Sequence, residues 1–193
     1  MDLIIIRHGL PISVTGAEGP ADPHLTDTGR DQAERMAAWL QDEPVDAIYC
    51  SPMNRARETA APLALLKDLE VHYRDGLAEI DQFSAEYIPL EELRVTNYEL
   101  WRRRMKESWF GEQDPKEFRL TVVQTIEQIV TDNAGRRIAI VCHGGVINAW
   151  GSHTLALDDV YFFQPTYTSI NRFAAARSGE RTVVSLNEAA HLR

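Results

Sequence analysis

Two segments of this 193-residue chain end in the same way, and together they narrow the folds open to it. Residues 2–9 read DLIIIRHG, and residues 137–145 read RIAIVCHGG. Each is a short aliphatic run that stops at His-Gly, which is typical of a strand buried on both faces of a parallel sheet. Ligands bind at the carboxyl edge of an open α/β sheet. The pattern therefore predicts that His8 and His143 lie at one site, with Arg7 beside the first.

Strand signals alternate with helix signals along the rest of the chain. Further strands are predicted at residues 45–50, 70–73, 169–173 and 182–186, and helices at residues 30–40, 51–66, 118–133 and 144–155. This alternation predicts an α/β fold of three layers, α/β/α, around a mostly parallel sheet with one antiparallel strand. We expect a single domain over residues 1–193. The weaker periodicity of residues 75–118, with a helix at about 91–109, predicts an insertion over the ligand-binding edge of the sheet.

The second predicted helix carries strong local signals. Ser51 stands where an N-terminal cap would, and Pro52 stands at the first helical position, a combination that typically opens a helix. Pro62 lies inside the same segment and predicts a kink or a split there, because proline lacks the N–H of the helical hydrogen bond. The helix before it is predicted to be capped by one of residues 26–28.

The charge of the chain limits its partners. It has 20 basic and 29 acidic side chains and a net charge of −9, which argues against nucleic acid or an anionic membrane surface as partner. A local group of Arg and His can still attract an anionic small molecule. No apolar run approaches the roughly 20 residues of a membrane span, and residues 3–6 are too short for the core of a secretion signal. We expect a cytoplasmic protein in which Cys50 and Cys142 are buried and unpaired.

Four residues at the predicted sheet edge suit the chemistry of a phosphoryl group. A neutral imidazole such as that of His8 is a nucleophile toward phosphorus when one nitrogen is free and the other donates to a fixed acceptor. Arg55, in the first turn of a helix that follows a strand, can bind two phosphoryl oxygens with its planar guanidinium. His143 ends the second strand, and Gly144 opens a helix whose amides favour an anion. Taken singly, such a histidine also suits a protein core, and such an arginine a surface salt bridge.

Four motifs stand in a recognisable order along the chain. They are residues 7–9 (RHG), 25–33 (LTDTGRDQA), 51–60 (SPMNRARETA) and 143–145 (HGG). Each motif is weak alone, but with all four in this order the chain resembles the histidine phosphatase superfamily, which has the phosphoglycerate mutase-like fold. The resemblance is nearest to the small bacterial phosphatases of that superfamily.

The resemblance implies a role for each of the residues at the predicted site. His8 matches the nucleophile that becomes phosphohistidine. Arg7, Arg55 and His143 match the groups that grip the phosphoryl oxygens, and Gly144 lies beside them. The resemblance requires no metal and no cofactor, and no group of His, Asp and Glu in the sequence has convincing metal-ligand spacing.

The general acid implied by the resemblance is a carboxylate in the segment after the third strand. Glu79, within the sequence GLAEI, fits that place. Asp81 is the competing candidate, and as an alternative it is an ordinary loop carboxylate. The sequence favours Glu79.

One departure from the superfamily pattern concerns the loop after the first histidine motif. Many members have Ser or Thr two residues after the glycine of that motif and Asn slightly later, as further phosphate ligands. This chain has Val14 at the Asn position. Ser13, Thr15 or Ser169, or the backbone amides near Gly144, are the candidates to complete the phosphate pocket in its place.

The sequence therefore predicts a phosphatase that hydrolyses a small phosphomonoester through a phosphohistidine intermediate on His8. The partner would be an anionic small-molecule phosphomonoester. Two alternatives remain open at this point: a phosphotransferase of the phosphoglycerate mutase type, and a non-catalytic module that binds a phosphorylated ligand on the same fold. The aromatic segment at residues 161–163 is a candidate for a homodimer interface.

Overall fold

The computed structural model describes the backbone of residues 1–107 and 113–193 and the side chains of residues 1–103 and 113–193. The strands within these ranges are β1 (Asp2–Arg7), β2 (Ala47–Cys50), β3 (Val71–Tyr73), β4 (Arg137–Cys142), β5 (Ile170–Ala175) and β6 (Arg181–Glu188). They form one sheet in the order β3-β2-β4-β1-β5-β6. Strand β5 pairs antiparallel with both of its neighbours, and the other neighbouring strands pair in parallel. The mostly parallel sheet with one reversed strand is thus confirmed.

Helices cover both faces of the sheet. Those described are α1 (Asp27–Trp39), α2 (Asn54–Lys67), α3 (Leu90–Thr96), α4 (Tyr98–Glu107), α5 (Pro115–Asp132) and α6 (Gly144–Thr154). Successive residues of a strand point to opposite faces, so Leu3 and Ile5 of β1 join the core cluster beneath α5 and α6, and Ile4 and Ile6 join the cluster beneath α1 and α2. The three-layer α/β/α prediction is confirmed. No helix in the described part of the chain has both the length and the apolar character to cross a membrane.

The helix boundaries agree with the sequence in one place and differ in another. Thr26 caps α1, because its hydroxyl accepts a hydrogen bond from the amide of Gly29 at 3.0 Å. Helix α2 instead begins at Asn54 with Met53 in the cap position, so the prediction that Ser51 caps it was wrong. Pro62 lies inside α2 without splitting it. Burial of the α2 face that carries Leu63 against the sheet offsets the one helical hydrogen bond that proline removes.

Two surface segments pair with each other above the carboxyl ends of the strands. The loop at residues 10–24 and the segment at residues 84–87 are joined by main-chain hydrogen bonds, including an antiparallel bridge between Val14 and Tyr87. Val14 therefore contributes its backbone rather than a side-chain ligand. The predicted helix end near residue 109 lies outside the described residues, and the interpretation of residues 75–118 as an insertion into a single domain stays a prediction.

The aromatic segment at residues 161–163 is half-buried within the fold. Tyr161 and Phe163 pack against the core cluster beneath α5 and α6, and Phe162 lies against Gly151 of α6. Part of the aromatic surface that was the candidate for a homodimer interface therefore packs within the chain itself. The homodimer stays a prediction.

Candidate active site

The two histidines that end the matching strands lie side by side. β1 and β4 are parallel neighbours, with Arg7 opposite Cys142, so the residues that follow them leave the sheet at the same edge. The ring centroids of His8 and His143 are 5.1 Å apart, and both side chains are buried. One tetrahedral oxyanion can therefore contact both imidazoles.

The ring of His8 is held in one orientation. Its Nδ1 lies 2.7 Å from the carbonyl oxygen of Gly9, and because a carbonyl only accepts, Nδ1 carries the proton and Nε2 keeps a free lone pair. Burial lowers the pKa of His8 well below its ordinary value, and the positive charges of Arg55 and Arg7 lower it further. The imidazole is consequently neutral at physiological pH, as a nucleophile requires.

The turn after His8 requires a glycine. A Cβ on Gly9 would lie 2.5 Å from the carbonyl oxygen of Gly29, in the first turn of α1. The amide of Gly9 donates to the hydroxyl of Thr59 at 2.9 Å, and that hydroxyl donates to the carbonyl oxygen of Arg55 at 2.7 Å. The His8 turn and the first turn of α2 are thus fixed to each other.

Arg55 is fully buried and only partly satisfied. Its Nη2 donates to Asp81 at 3.1 Å, whereas its Nε and Nη1 have no hydrogen-bond partner among the described residues. Leaving buried charged donors unsatisfied costs free energy. The side chain lines a cavity, so its free donors are placed to bind an anion there.

Arg7 lines the same cavity beside Gly144. Its Nη1 donates to Glu91 of α3 at 2.9 Å and also to the carbonyl oxygen of Pro165. The guanidinium lies over the ring of Tyr167, 3.8 Å from the centroid. Its Nε is buried and has no hydrogen-bond partner in the described part of the structure. Arg7 is therefore rigidly placed and still has a donor to offer a ligand.

His143 is positioned by a residue whose role the sequence did not reveal. Its Nε2 lies 2.7 Å from the hydroxyl of Ser51, while its buried Nδ1 has no partner among the described residues. When Ser51 donates to Nε2, the proton of His143 is on Nδ1 and is available to an anion. Burial lowers the pKa of His143 well below its ordinary value, and the charges of Arg55, His8 and Arg7 add to that effect. His143 is thus a neutral donor.

We expect Ser51→Ala to lower kcat/KM by about tenfold or more, because the ring of His143 loses the bond that sets its orientation and tautomer. The measurement is steady-state phosphate release from a simple phosphomonoester. Ser152→Ala is the matched control: Ser152 is also fully buried, and its hydroxyl donates within α6 to the carbonyl oxygen of Ala149. A Ser51→Ala protein as active as the Ser152→Ala protein would contradict this role for Ser51.

Glu79 lies against the N-terminus of α6. Its Oε2 accepts from the amide of Gly145 at 2.9 Å, and its Oε1 accepts from the amide of Ile80 at 3.0 Å. A Cβ on Gly145 would collide with this carboxylate, which explains the second glycine of the HGG motif. The pKa of Glu79 is raised to about 7, first by burial and then by the charge of Asp81, while the two amides and Arg55 oppose the shift. A carboxyl group with this pKa can give and take a proton near neutral pH.

A cavity of about 830 Å³ contains most of the predicted site residues. Arg7, His8, Arg55, Glu79, Asp81 and Gly144 line it, and the ring of His143 is in contact with that of His8. The three hydroxyls proposed to complete the pocket do not line it. Ser13 is exposed and bonds to Glu92, Thr15 is exposed, and Ser169 is buried beside Asn171.

The arrangement lacks the features of a thiol or metal centre in the described part of the chain. Cys50 and Cys142 are buried and unpaired, and burial raises the pKa of both thiols, which makes them poor nucleophiles. No cluster of three or more His, Cys, Asp or Glu side chains is arranged as a metal site among the described residues.

Comparison with known proteins agrees with this geometry. The sequence profile of the histidine phosphatase superfamily (branch 1) matches residues 3–189. A probable phosphatase, C1687.21, of Schizosaccharomyces pombe is 27% identical over 205 residues, which cover 100% of this chain and 95% of that protein. Phosphoserine phosphatase 1 of Hydrogenobacter thermophilus is 36% identical over 107 residues, which cover 54% of this chain and 51% of that protein.

The solved structures extend the match to the whole fold. A mutant phosphoserine phosphatase of Entamoeba histolytica, in complex with phosphoserine, superposes with a TM-score of 0.78 at 27% identity, covering 100% of this chain and 99% of that one. The same organism's phosphoserine phosphatase with 3-phosphoglyceric acid gives a TM-score of 0.77 at 28% identity, with the same coverage. The chain belongs to the histidine phosphatase superfamily, branch 1, and is a phosphatase of that family, a metal-independent class of hydrolase.

Proposed function

We propose that this phosphatase hydrolyses a small phosphomonoester through a phosphohistidine on His8. The observation that carries the proposal is the state of the His8 ring: it is neutral, its Nδ1 is bound by Gly9, and its Nε2 is free beside the unsatisfied donors of Arg55. A free lone pair next to an anion-binding guanidinium is the combination needed to attack a bound phosphoryl group.

In the first step the Nε2 of His8 attacks phosphorus, and the bond from phosphorus to the alcohol oxygen breaks. Arg7, Arg55 and His143 stabilise the charge on the three remaining phosphoryl oxygens, together with the N-terminus of α6 at Gly144. The carbonyl of Gly9 stabilises the positive charge that develops on the ring through the proton on Nδ1.

Glu79 is the proposed general acid and base. With a pKa of about 7, a large fraction of Glu79 is protonated near neutral pH and can give its proton to the departing alcohol oxygen. In the second step the resulting carboxylate takes a proton from water, the water oxygen bonds to phosphorus, and the bond from phosphorus to Nε2 breaks. The electron pair returns to the ring, so His8 and Glu79 regain their starting states and inorganic phosphate leaves.

The proposed role of Asp81 is not that of general acid, for which it was the competing candidate in the sequence. Its carboxylate binds the Nη2 of Arg55, and its charge raises the pKa of Glu79. Asp81 therefore orients the guanidinium and tunes the acid. An incoming phosphoryl group would share Arg55 with it, and the departing phosphate would leave that charge again balanced by Asp81.

The experiment that tests the proposal is rapid quenching of the purified enzyme with a ³²P-labelled phosphomonoester. We expect a phosphoenzyme that is labile in acid and stable in alkali, as a phosphoramidate of histidine is, and that maps to the peptide with His8. Release of inorganic phosphate at the same rate as alcohol supports hydrolysis. Transfer of the label to an added sugar acid instead of water would favour the mutase-type alternative, and the absence of any phosphoenzyme would contradict the proposal.

A further inference from the structure

The mouth of the cavity is lined by carboxylates that have no basic partner in the part of the chain that the structure describes. Glu86, Asp114 and Glu117, here called the acidic wall, line the cavity and are exposed. None of the three forms a salt bridge with a described Lys, Arg or His, whereas the arginines deeper in the cavity are paired, Arg7 with Glu91 and Arg55 with Asp81. Among the described residues, the wall therefore carries three carboxylates without a basic partner.

The inner end of the same cavity instead offers unsatisfied hydrogen-bond donors. Among the described residues that line it, Arg7 and Arg55 alone carry positive charge. Both are at least nine-tenths buried, and their free Nε groups, with the Nη1 of Arg55, point to an anionic ligand. The cavity is thus polarised, with donors for a phosphoryl group at its base and carboxylates at its mouth.

The volume of the cavity decides how a substrate would lie in it. About 830 Å³ is within the range of pockets that hold whole small molecules and far exceeds one phosphoryl group. With the phosphoryl group at the arginines, the alcohol part of a phosphomonoester extends toward the acidic wall. Phe83, which is exposed, lines this outer part as well, and aromatic faces attract cations.

We propose that the preferred substrates are phosphomonoesters whose alcohol part carries an ammonium group. This inference rests on the proposed function and adds the substrate class to it. An ammonium near Glu86, Asp114 and Glu117 is attracted electrostatically, and a carboxylate in the same place is repelled. The polarised cavity therefore selects a substrate with a negative and a positive end and rejects one with two negative ends.

Three substrates of similar size test the inference directly. O-phosphoethanolamine carries an ammonium group, propyl phosphate replaces that group with a methyl, and phosphoglycolate carries a carboxylate. We expect kcat/KM for O-phosphoethanolamine to exceed that for propyl phosphate by about tenfold, with phosphoglycolate lowest. Because exposed charges are screened by salt, the preference should decrease as ionic strength rises.

Removing the wall charges should remove the preference. In the triple variant Glu86→Gln, Asp114→Asn and Glu117→Gln, the ratio of kcat/KM for O-phosphoethanolamine to that for propyl phosphate should fall toward one. Asn at position 114 keeps a side-chain acceptor for the amide of Lys116, which Asp114 caps at the start of α5. The single variant Glu117→Gln should lower the same ratio in part, and it serves if the triple variant does not fold.

A matched control changes three carboxylates elsewhere on the surface. Glu34, Asp42 and Glu70 are exposed, do not line the cavity and form no salt bridge with described residues. The variant Glu34→Gln, Asp42→Asn and Glu70→Gln makes the same change in net charge. We expect it to keep the wild-type preference, so that a loss in the wall variant is assigned to the cavity and not to overall charge.

Hydrolysis of p-nitrophenyl phosphate separates failure of the inference from failure of the proposed function. If the wild-type enzyme hydrolyses p-nitrophenyl phosphate but treats O-phosphoethanolamine and propyl phosphate alike, the substrate class is wrong and the proposed function stands. The substrate class is also overturned if the preference survives in the wall variants. If none of the phosphomonoesters releases phosphate, the proposed function itself fails.

Discussion

His8→Ala is expected to lower kcat for phosphomonoester hydrolysis by at least about 10⁴-fold, because the variant has no atom that can form the covalent intermediate. The Nε2 of His8 is free and neutral, and both steps of the proposed mechanism pass through it. His143, the nearest imidazole, cannot replace it, since its Nε2 is bound to the hydroxyl of Ser51 and its Nδ1 then carries the proton.

The measurement is release of p-nitrophenol from p-nitrophenyl phosphate by the variant and by the wild-type enzyme. Arg7 and Arg55 remain in the variant, so it should still bind inorganic phosphate in a calorimetric titration, which shows that the site is intact. His72→Ala is the control, because His72 is exposed on the edge strand β3, and it should leave turnover unchanged. A His8→Ala protein that still hydrolyses p-nitrophenyl phosphate at a substantial rate would contradict the mechanism.

The convergence of the two histidines was predictable because it depends on few features of the sequence. Two aliphatic runs that both end in His-Gly predicted two parallel strands, and parallel strands bring their carboxyl ends to one edge. The structure adds that β1 and β4 are direct neighbours, which the sequence pattern did not specify. The place of Arg55 followed from the same principle, since α2 starts just beyond β2.

The role of Ser51 is an example of a contact that local sequence patterns do not predict. Ser followed by Pro is a strong local signal for the start of a helix, and the sequence analysis assigned Ser51 to that role. Its hydroxyl instead bonds to His143, which lies 92 positions along the chain. Such a contact depends on the adjacency of β2 and β4 in the sheet, and no local pattern encodes it.

The contacts of Arg7 were equally impossible to predict from local sequence patterns. Glu91 at the start of α3 pairs with Arg7, and Gln164 bonds to the same carboxylate at 3.1 Å. Glu91 falls in the segment with the weakest periodicity, where no local pattern distinguishes one carboxylate from its neighbours. Gly145, by contrast, had a visible signal in the HGG motif, but its reason is the packing of Glu79 against it.

Glu79→Gln is expected to lower kcat/KM for an alkyl phosphate by about 10³-fold, the usual contribution of a positioned general acid. For p-nitrophenyl phosphate the decrease should be far smaller, because its nitrophenolate leaves without a proton. The glutamine oxygen can still accept from the amide of Gly145, as Oε2 does now. The expected result is therefore a selective loss that depends on the leaving group, and an equal loss for both substrates would contradict the assignment of Glu79 as general acid.

The pH profile gives a second measurement of the same group. Glu79 must be protonated to act on the alcohol oxygen, and burial, with the charge of Asp81, raises its pKa to about 7. In the wild-type enzyme kcat/KM for the alkyl phosphate should therefore decrease as pH rises through about 7, by about tenfold per pH unit. The nucleophile sets no competing limit there, because the pKa of His8 is well below its ordinary value. In Glu79→Gln this alkaline decrease should disappear.

Asp81→Asn distinguishes the two carboxylates that the sequence left in competition. If Glu79 is the acid, removing the charge of Asp81 lowers the pKa of Glu79, so the alkaline decrease begins at a lower pH while the dependence on leaving group stays as in the wild-type enzyme. If Asp81 were the acid, Asp81→Asn would instead produce the selective loss on alkyl phosphates, and Glu79→Gln would not. The direction of the pH shift and the dependence on leaving group are independent readouts, so the two variants together assign the proton to one carboxylate.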